Sequence, residues 1–250
     1  MKRTYYIDSH NRIAGGSHSN FLYKMDLSEF KDAKNLYVCL NKATIPKSYY
    51  LVRAGLNIFN LIENGLHNIA LTVPVGFYSS NTFLTTIQNL MNTNTILGYQ
   101  YTVTFDAVTA KYSFACTGNA VISFPDVSGA SIHEQFGCDD AKSYNLPFTS
   151  PNVVKFVLED CIFLRSNLAD DPNETLGIII ASGYPNLSTI GYTCNDIYAN
   201  SKPLKTSDGN VFSFRLSDPD GDYLDTNGLP LNLEIIIYKP YQNVLLKLTE

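Results

Sequence analysis

Leu36–Gly65, LYVCLNKATIPKSYYLVRAGLNIFNLIENG, decides the fold class. Leu36, Val38 and Leu40 alternate with Tyr37, Cys39 and Asn41, the period of two that a strand with one buried face imposes. The pattern fades at Ile45-Pro46, because proline has no N–H to give to a sheet ladder. A second β-rich run, Asn57–Glu63, ends at Asn64-Gly65, a dipeptide suited to a hairpin turn. Short strand, polar turn, short strand is the formula on both sides of this stretch, so the expected class is all-β.

Working outward toward the N-terminus, Phe21, Tyr23, Met25 and Leu27 share one face while Lys24 and Asp26 fall on the other, a half-exposed antiparallel strand. Tyr5–Arg12 starts extended and breaks into the glycine-rich Ala14–Asn20. Downstream, Leu66–Val73 reads as a strand closed by Pro74. One helix is expected, with Ser79 or Ser80 as its cap and Phe83, Ile87, Leu90 and Met91 at helical spacing. A hairpin follows, Tyr101, Val103 and Phe105 turning through Asp106–Lys111 into Tyr112 and Phe114, and then a short strand at Val121–Phe124. Ser131–Phe136 predicts a helical turn ended by Gly137. Asn152–Leu164 reads as a strong strand region. Arg165–Asn210 is polar and loop-like around one buried strand, Leu176–Ala181. Phe212, Phe214 and Leu216 form another strand face, Leu231, Leu233, Ile235 and Ile237 another, and Val244–Leu248 a last one. No strand–helix alternation and no repeat of 20–50 residues is visible, which excludes parallel sheets, propellers and solenoids. The expectation is one domain over 1–250, a single antiparallel jelly-roll sandwich of two sheets, with 165–210 as a candidate loop or insertion region.

A chain of 250 residues is normal for one all-β domain and buries enough surface to need no staples. Its net charge of −5 argues against a nucleic-acid groove, which needs clustered Lys and Arg. No apolar run reaches the roughly 18–20 residues of a membrane-spanning helix, and no signal peptide precedes the first strand. The five cysteines are odd in number, scattered and without a CxxC pair, as in a chain made and kept reduced inside a cell. Cys39 and Cys116 fall inside strand patterns and read as small core thiols. Charged residues make up only 16%, against 17 tyrosines and 14 phenylalanines. Two accounts of that balance stand side by side: aromatic residues favour strands, and tyrosine is enriched where protein meets protein.

The motifs of catalysis are missing. His10, His18, His67 and His133 are isolated, and no His-x-His pair with a nearby Glu offers the metal site of a cupin. There is no G-x-S-x-G elbow and no phosphate-cradling G-x-x-x-x-G-K-[ST] loop. No cofactor is expected. Asp218, Asp220, Asp222 and Asp225 are the only cluster resembling a metal site, with hard oxygen ligands of the kind Ca²⁺ takes. The loop fails as an EF-hand, since glycine stands at its fourth position instead of the sixth and no glutamate closes it. It reads first as a hairpin loop, because Asp, Pro, Asn and Gly are turn formers.

Six segments, in order, carry a resemblance. YYIDSHNR (Tyr5–Arg12), SNFLYKMDL (Ser19–Leu27), LNKATIPKSYYLV (Leu40–Val52), NIFNLIENG (Asn57–Gly65), VPVGFYSSNTFLTTIQNLMN (Val73–Asn92) and FRLSDPDGDYLDTNGLPLNLEIIIY (Phe214–Tyr238) span nearly the whole chain. Together they resemble the minor capsid, or penton, proteins of virophages and of related polinton-type elements. The resemblance implies a non-enzymatic virion protein. Its jelly roll would form homopentamers at the fivefold vertices of an icosahedral capsid, beside trimers of the major capsid protein, assembled inside the infected host cell, in its cytoplasm. It also implies long outer-face loops, for which Arg165–Asn210 is the candidate. The competing reading is a jelly-roll binding module, lectin-like or receptor-binding, with the Asp218–Asp225 loop as its first suspect.

Overall fold

The computed structural model describes residues 1–30, 33–125, 132–156, 160–205 and 210–240. In chain order the elements are β1 (Lys2–Asp8), β2 (Asn20–Lys24), β3 (Tyr37–Pro46), β4 (Ile58–Glu63), β5 (His67–Thr72), α1 (Ser80–Asn94), β6 (Tyr101–Asp106), β7 (Lys111–Cys116) and β8 (Ala120–Ser123). They continue with α2 (His133–Phe136), β9 (Ser143–Asn145), β10 (Phe148–Thr149), β11 (Cys161–Ser166), β12 (Thr175–Ile180), β13 (Thr189–Thr193), β14 (Lys202–Pro203), β15 (Val211–Ser217) and β16 (Asn232–Tyr238). The protein is all-β, and every strand pair in its sheets is antiparallel.

The chain divides into two compact units, Met1–Tyr49 with Glu159–Glu250, and Tyr50–Leu158. The first unit holds a complete jelly roll. Its sheets run β1-β16-β3-β13, with the short β14 also on β3, and β12-β11-β15-β2. Counting only its eight longer strands along the chain, the orders become 1-8-3-6 and 5-4-7-2, the interleaving of two Greek keys. The second unit is inserted between the third and fourth of these strands. The expected insertion, 165–210, instead carries β12, β13 and β14 of the jelly roll. Polar composition misled there because strands facing solvent on one side carry many Asn, Ser and Thr.

Within the jelly roll, Val38, Leu40, Ile45, Leu233, Ile235 and Ile237 of one sheet are buried, as are Ile162, Leu164, Ile179, Phe212, Phe214 and Leu216 of the other. The sheets approach closely at Gly177, where an added Cβ would lie 2.7 Å from Leu40 Cδ2. Phe21 stacks on Phe214 with ring centres 5.5 Å apart. β3 carries one extra residue, Asn41, opposite Glu234 and Ile235, which switches the face its later side chains present. Residues 194–201 lie on the outer face of the first sheet, before β14 pairs with β3. Tyr198 stands edge-on to Tyr238 at 5.4 Å, and the Tyr238 hydroxyl is 2.9 Å from Ser201 Oγ. Cys39, Ile236 and Tyr238 are therefore buried although they point away from the core between the sheets.

The inserted unit has sheets β5-β4-β8-β9 and β10-β7-β6. The β4–β5 connection follows Asn64-Gly65, with φ of 53° and 68°, the positive values that this dipeptide adopts at little cost. α1 begins at a capping box, in which the Thr82 N–H donates to the Ser79 side chain and the Ser79 N–H to Thr82 Oγ1. Its Phe83, Ile87 and Met91 are buried. α2 ends at Gly137 in the left-handed conformation. Phe136 touches Phe59, Phe83, Phe114 and Phe124, at ring separations of 4.9, 5.4, 5.6 and 5.2 Å. Of the strand expected over Asn152–Leu164, Cys161–Leu164 lies in β11 and residues 152–156 form no strand, while 157–159 lie outside the described residues. Upstream, Val153 is exposed, while the Val154 and Lys155 N–H groups bond the Ala110 and Glu134 carbonyls of the inserted unit. The strand expected at Val244–Leu248 lies outside the described residues.

Candidate functional site

The β12 sequence, TLGIII, puts Ile179 into the core and Ile178 and Ile180 on the outer face, 50% and 57% exposed. This corrects the expectation that Leu176–Ala181 is a buried strand. Cys161 pairs with Ile180, and Phe163 with Ile178, on the same outer face. The Arg165 guanidinium lies 5.4 Å from the centre of the Phe163 ring. β12 ends its sheet on that side, with no charge and no proline along Thr175–Ile180. Native sheets generally protect such an edge with lysine, proline, a twist or a covering segment. Ala199, Asn200 and Lys202 stand beside Thr175–Ile178, and what β12 leaves open is its outer face, where the exposed Ile178 and Ile180 are apolar, the kind of surface that favours association. Other large apolar side chains stand out on this unit, among them Tyr6 at 74% and Leu187 at 73% exposed.

The acidic loop Asp218–Asp225 organises itself. The Asp222 N–H donates to the Asp218 carboxylate at 2.8 Å, and the Asp218 N–H to the Asp222 carbonyl at 2.9 Å. Asp225 accepts the Asn227 N–H at 3.0 Å and faces Ser19 Oγ at 3.5 Å. Asp218 is buried while Asp220 is exposed. The four carboxylates do not converge, and the described residues contain no group of three or more His, Cys, Asp or Glu placed to hold a metal ion.

Two polar arrangements escaped the sequence reading, because their members meet only in the fold. Ser9 Oγ lies 3.0 Å from His18 Nδ1, with the Arg12 guanidinium 3.2 Å from the same nitrogen. Burial, then Arg12 and His10, push the His18 pKa below its ordinary value. Ser9 is fully buried and also accepts the Leu231 N–H at 2.9 Å, so the hydroxyl ties the end of β1 to the entry of β16 and is closed to substrate. In the inserted unit, Glu63 is fully buried and accepts from the Ile96 N–H at 3.0 Å, the Leu97 N–H at 2.8 Å and the Tyr101 hydroxyl at 2.7 Å, and also from Thr95 Oγ1. Burial alone would raise its pKa. The bonds from Thr95, Tyr101, Leu97 and Ile96 outweigh it and hold the carboxyl below its ordinary value.

A shallow hollow of about 370 Å³ lies against the outer face of β6, β7 and β10 and is lined by Thr102, Thr104, Ser113, Thr149, Pro147 and Phe148 among others. Ser113 Oγ and Thr149 Oγ1 are 2.8 Å apart across the strands. None of its lining residues is charged. No helix among the described residues is long and apolar enough to cross a membrane.

No family model matches this chain, and neither does any curated protein. Among solved structures it is similar to the selenomethionine-labelled mavirus penton protein, at 10% identity and a TM-score of 0.47, over 96% of this chain and 100% of that one. It is also similar to a chain of the Sputnik virophage structure at 3.5 Å, at 12% identity and a TM-score of 0.42, over 94% of this chain and 98% of that one. Both TM-scores fall below 0.5, so no function passes from them to this chain.

Proposed function

We propose that this chain is a structural virion protein, a penton that forms homopentamers at the fivefold vertices of an icosahedral capsid, surrounded by trimers of the major capsid protein. The observation that carries the reading is one of order. The segments resembling virophage minor capsid proteins fall, in sequence, on β1, β2, β3, β4, α1 and the β15–β16 pair. The first three and the last belong to the jelly roll, and the others to the unit inserted in it.

The open face of β12 supplies what a ring needs. A head-to-tail interface joins two different patches, and closes when its rotation divides the circle. Ile178, Ile180 and Phe163 form one such patch, and desolvating them favours association at about 25 cal/mol per Å² buried. No catalytic step is assigned to any residue. The virion is the expected location, after assembly within the infected cell.

Light scattering across concentration and salt tests the reading. The expected result is a particle of five times 27.8 kDa, about 139 kDa, in equilibrium with monomer. A chain that remains at 27.8 kDa at the highest concentrations, alone and with major capsid trimers, would count against it.

A further inference from the structure

We infer that Cys39 and Cys194 are a modification site: a thiol pair that oxidises to a disulfide and fastens the 194–201 segment onto the jelly roll. The two residues are 155 positions apart in sequence, yet their Sγ atoms stand 3.7 Å apart. Cys39 lies on β3 and is fully buried beneath that segment. Cys194 follows the last residue of β13 and is part-exposed, with its N–H donating to the Asn41 carbonyl at 2.7 Å. Closing the pair to a bond of about 2.05 Å asks the sulfurs to move by under 2 Å. The regular ladder ends at Thr193, so Cys194 stands at the strand end, its backbone held to β3 and its side chain part-exposed. The turn that follows is locally built: Asp196 Oδ1 accepts the Tyr198 and Ala199 N–H groups at 2.8 and 3.1 Å.

The chemistry needs an oxidant, and a small-molecule disulfide such as oxidised glutathione supplies it. The accessible Cys194 thiolate attacks one glutathione sulfur, forms a mixed disulfide and releases one glutathione thiolate. Cys39 loses its proton and attacks Cys194 Sγ, the protein disulfide forms and the second glutathione thiolate leaves. Both thiol hydrogens end on glutathione, which is reduced as the cysteines are oxidised. Burial, then Cys194, pushes the Cys39 thiol up to about 12, and because the thiolate is the nucleophile, its attack quickens as pH rises. Cys116 and Cys138 lie in the inserted unit and Cys161 on β11, so the product predicted is one specific pairing.

The test treats the folded chain with oxidised glutathione at pH 8 and follows free thiols, mass and hydrogen exchange. The expected result is loss of two of the five thiols, a linked peptide containing Cys39 and Cys194, and full reversal by dithiothreitol. Exchange of amides in 195–201 is expected to slow by roughly tenfold or more. The Cys194→Ser variant, changed at the part-exposed partner so that the core is undisturbed, is expected to keep its four remaining thiols. Five intact thiols in the folded wild type would overturn the inference. So would a glutathione adduct on Cys194 that never closes, a different pairing, or the loss of two thiols from Cys194→Ser.

Discussion

Glu63 shows how one side chain can organise a buried region. A carboxylate without a cation is costly to bury unless donors replace its water. Here two backbone N–H groups and two hydroxyls do so, and they hold the chain after α1 against β4. Glu63→Gln turns an acceptor-only group into one whose amide must face some of those donors. It is expected to destabilise the inserted unit by about 2 kcal/mol at pH 7, measured by urea unfolding. The sign of the pH dependence follows from the depressed pKa in the folded state. The contribution is complete above the unfolded value, near 4.3, and disappears as pH falls through the folded one. The gap between wild type and Glu63→Gln is therefore expected to narrow on acidification, and a gap constant from pH 7 to pH 3 would refute this account. None of this was legible from sequence, where Glu63 is separated by more than thirty positions from every partner, Thr95, Ile96, Leu97 and Tyr101.

Elements were legible wherever their signals are local. The alternation in β3, the capping box and apolar spacing of α1, and the Asn64-Gly65 turn all act between near neighbours in the chain, and all stand where the sequence puts them. Position within a sheet is another matter. Nothing within TLGIII says whether a neighbour lies on both sides of it, so β12 reads as buried while the fold leaves it at an edge. The strand expected from Asn152 fails over its first five residues for the related reason that β-propensity records a fit to a pleated surface, and Val154 and Phe156 pack against the core of the inserted unit instead. The edge role of β12 is directly testable. The double substitution Ile178→Asp and Ile180→Asp places charges on the open face and leaves Leu176 and Ile179 in the core. Light scattering is expected to find monomer at 27.8 kDa under conditions where the wild type assembles, with the circular dichroism of the fold retained. Undiminished assembly would move the interface elsewhere.

At the scale of the molecule, the sequence disclosed the jelly roll and concealed the insertion, because both units are written in the same language of hairpins and short strands. What separates them is which strands pair, and that is set by contacts far apart along the chain. The inserted unit is contiguous and has its own aromatic core, so residues 50–158 expressed alone are expected to melt cooperatively with a β-sheet spectrum; a chain without a thermal transition would show otherwise. The jelly roll has no such independence. β16 lies between β1 and β3 and pairs with both, yet it follows every other described strand in sequence. During synthesis β1 and β3 emerge early and have no partner to join them until β16 has been translated. The inserted unit is complete long before then. The order of manufacture thus runs from the inside of the sequence outward, the interruption folding first and the interrupted sandwich last. For the whole of that interval the edges of β1 and β3 are open to pairing with other chains, and crowded synthesis of many copies is the condition in which chaperone protection of those edges matters most.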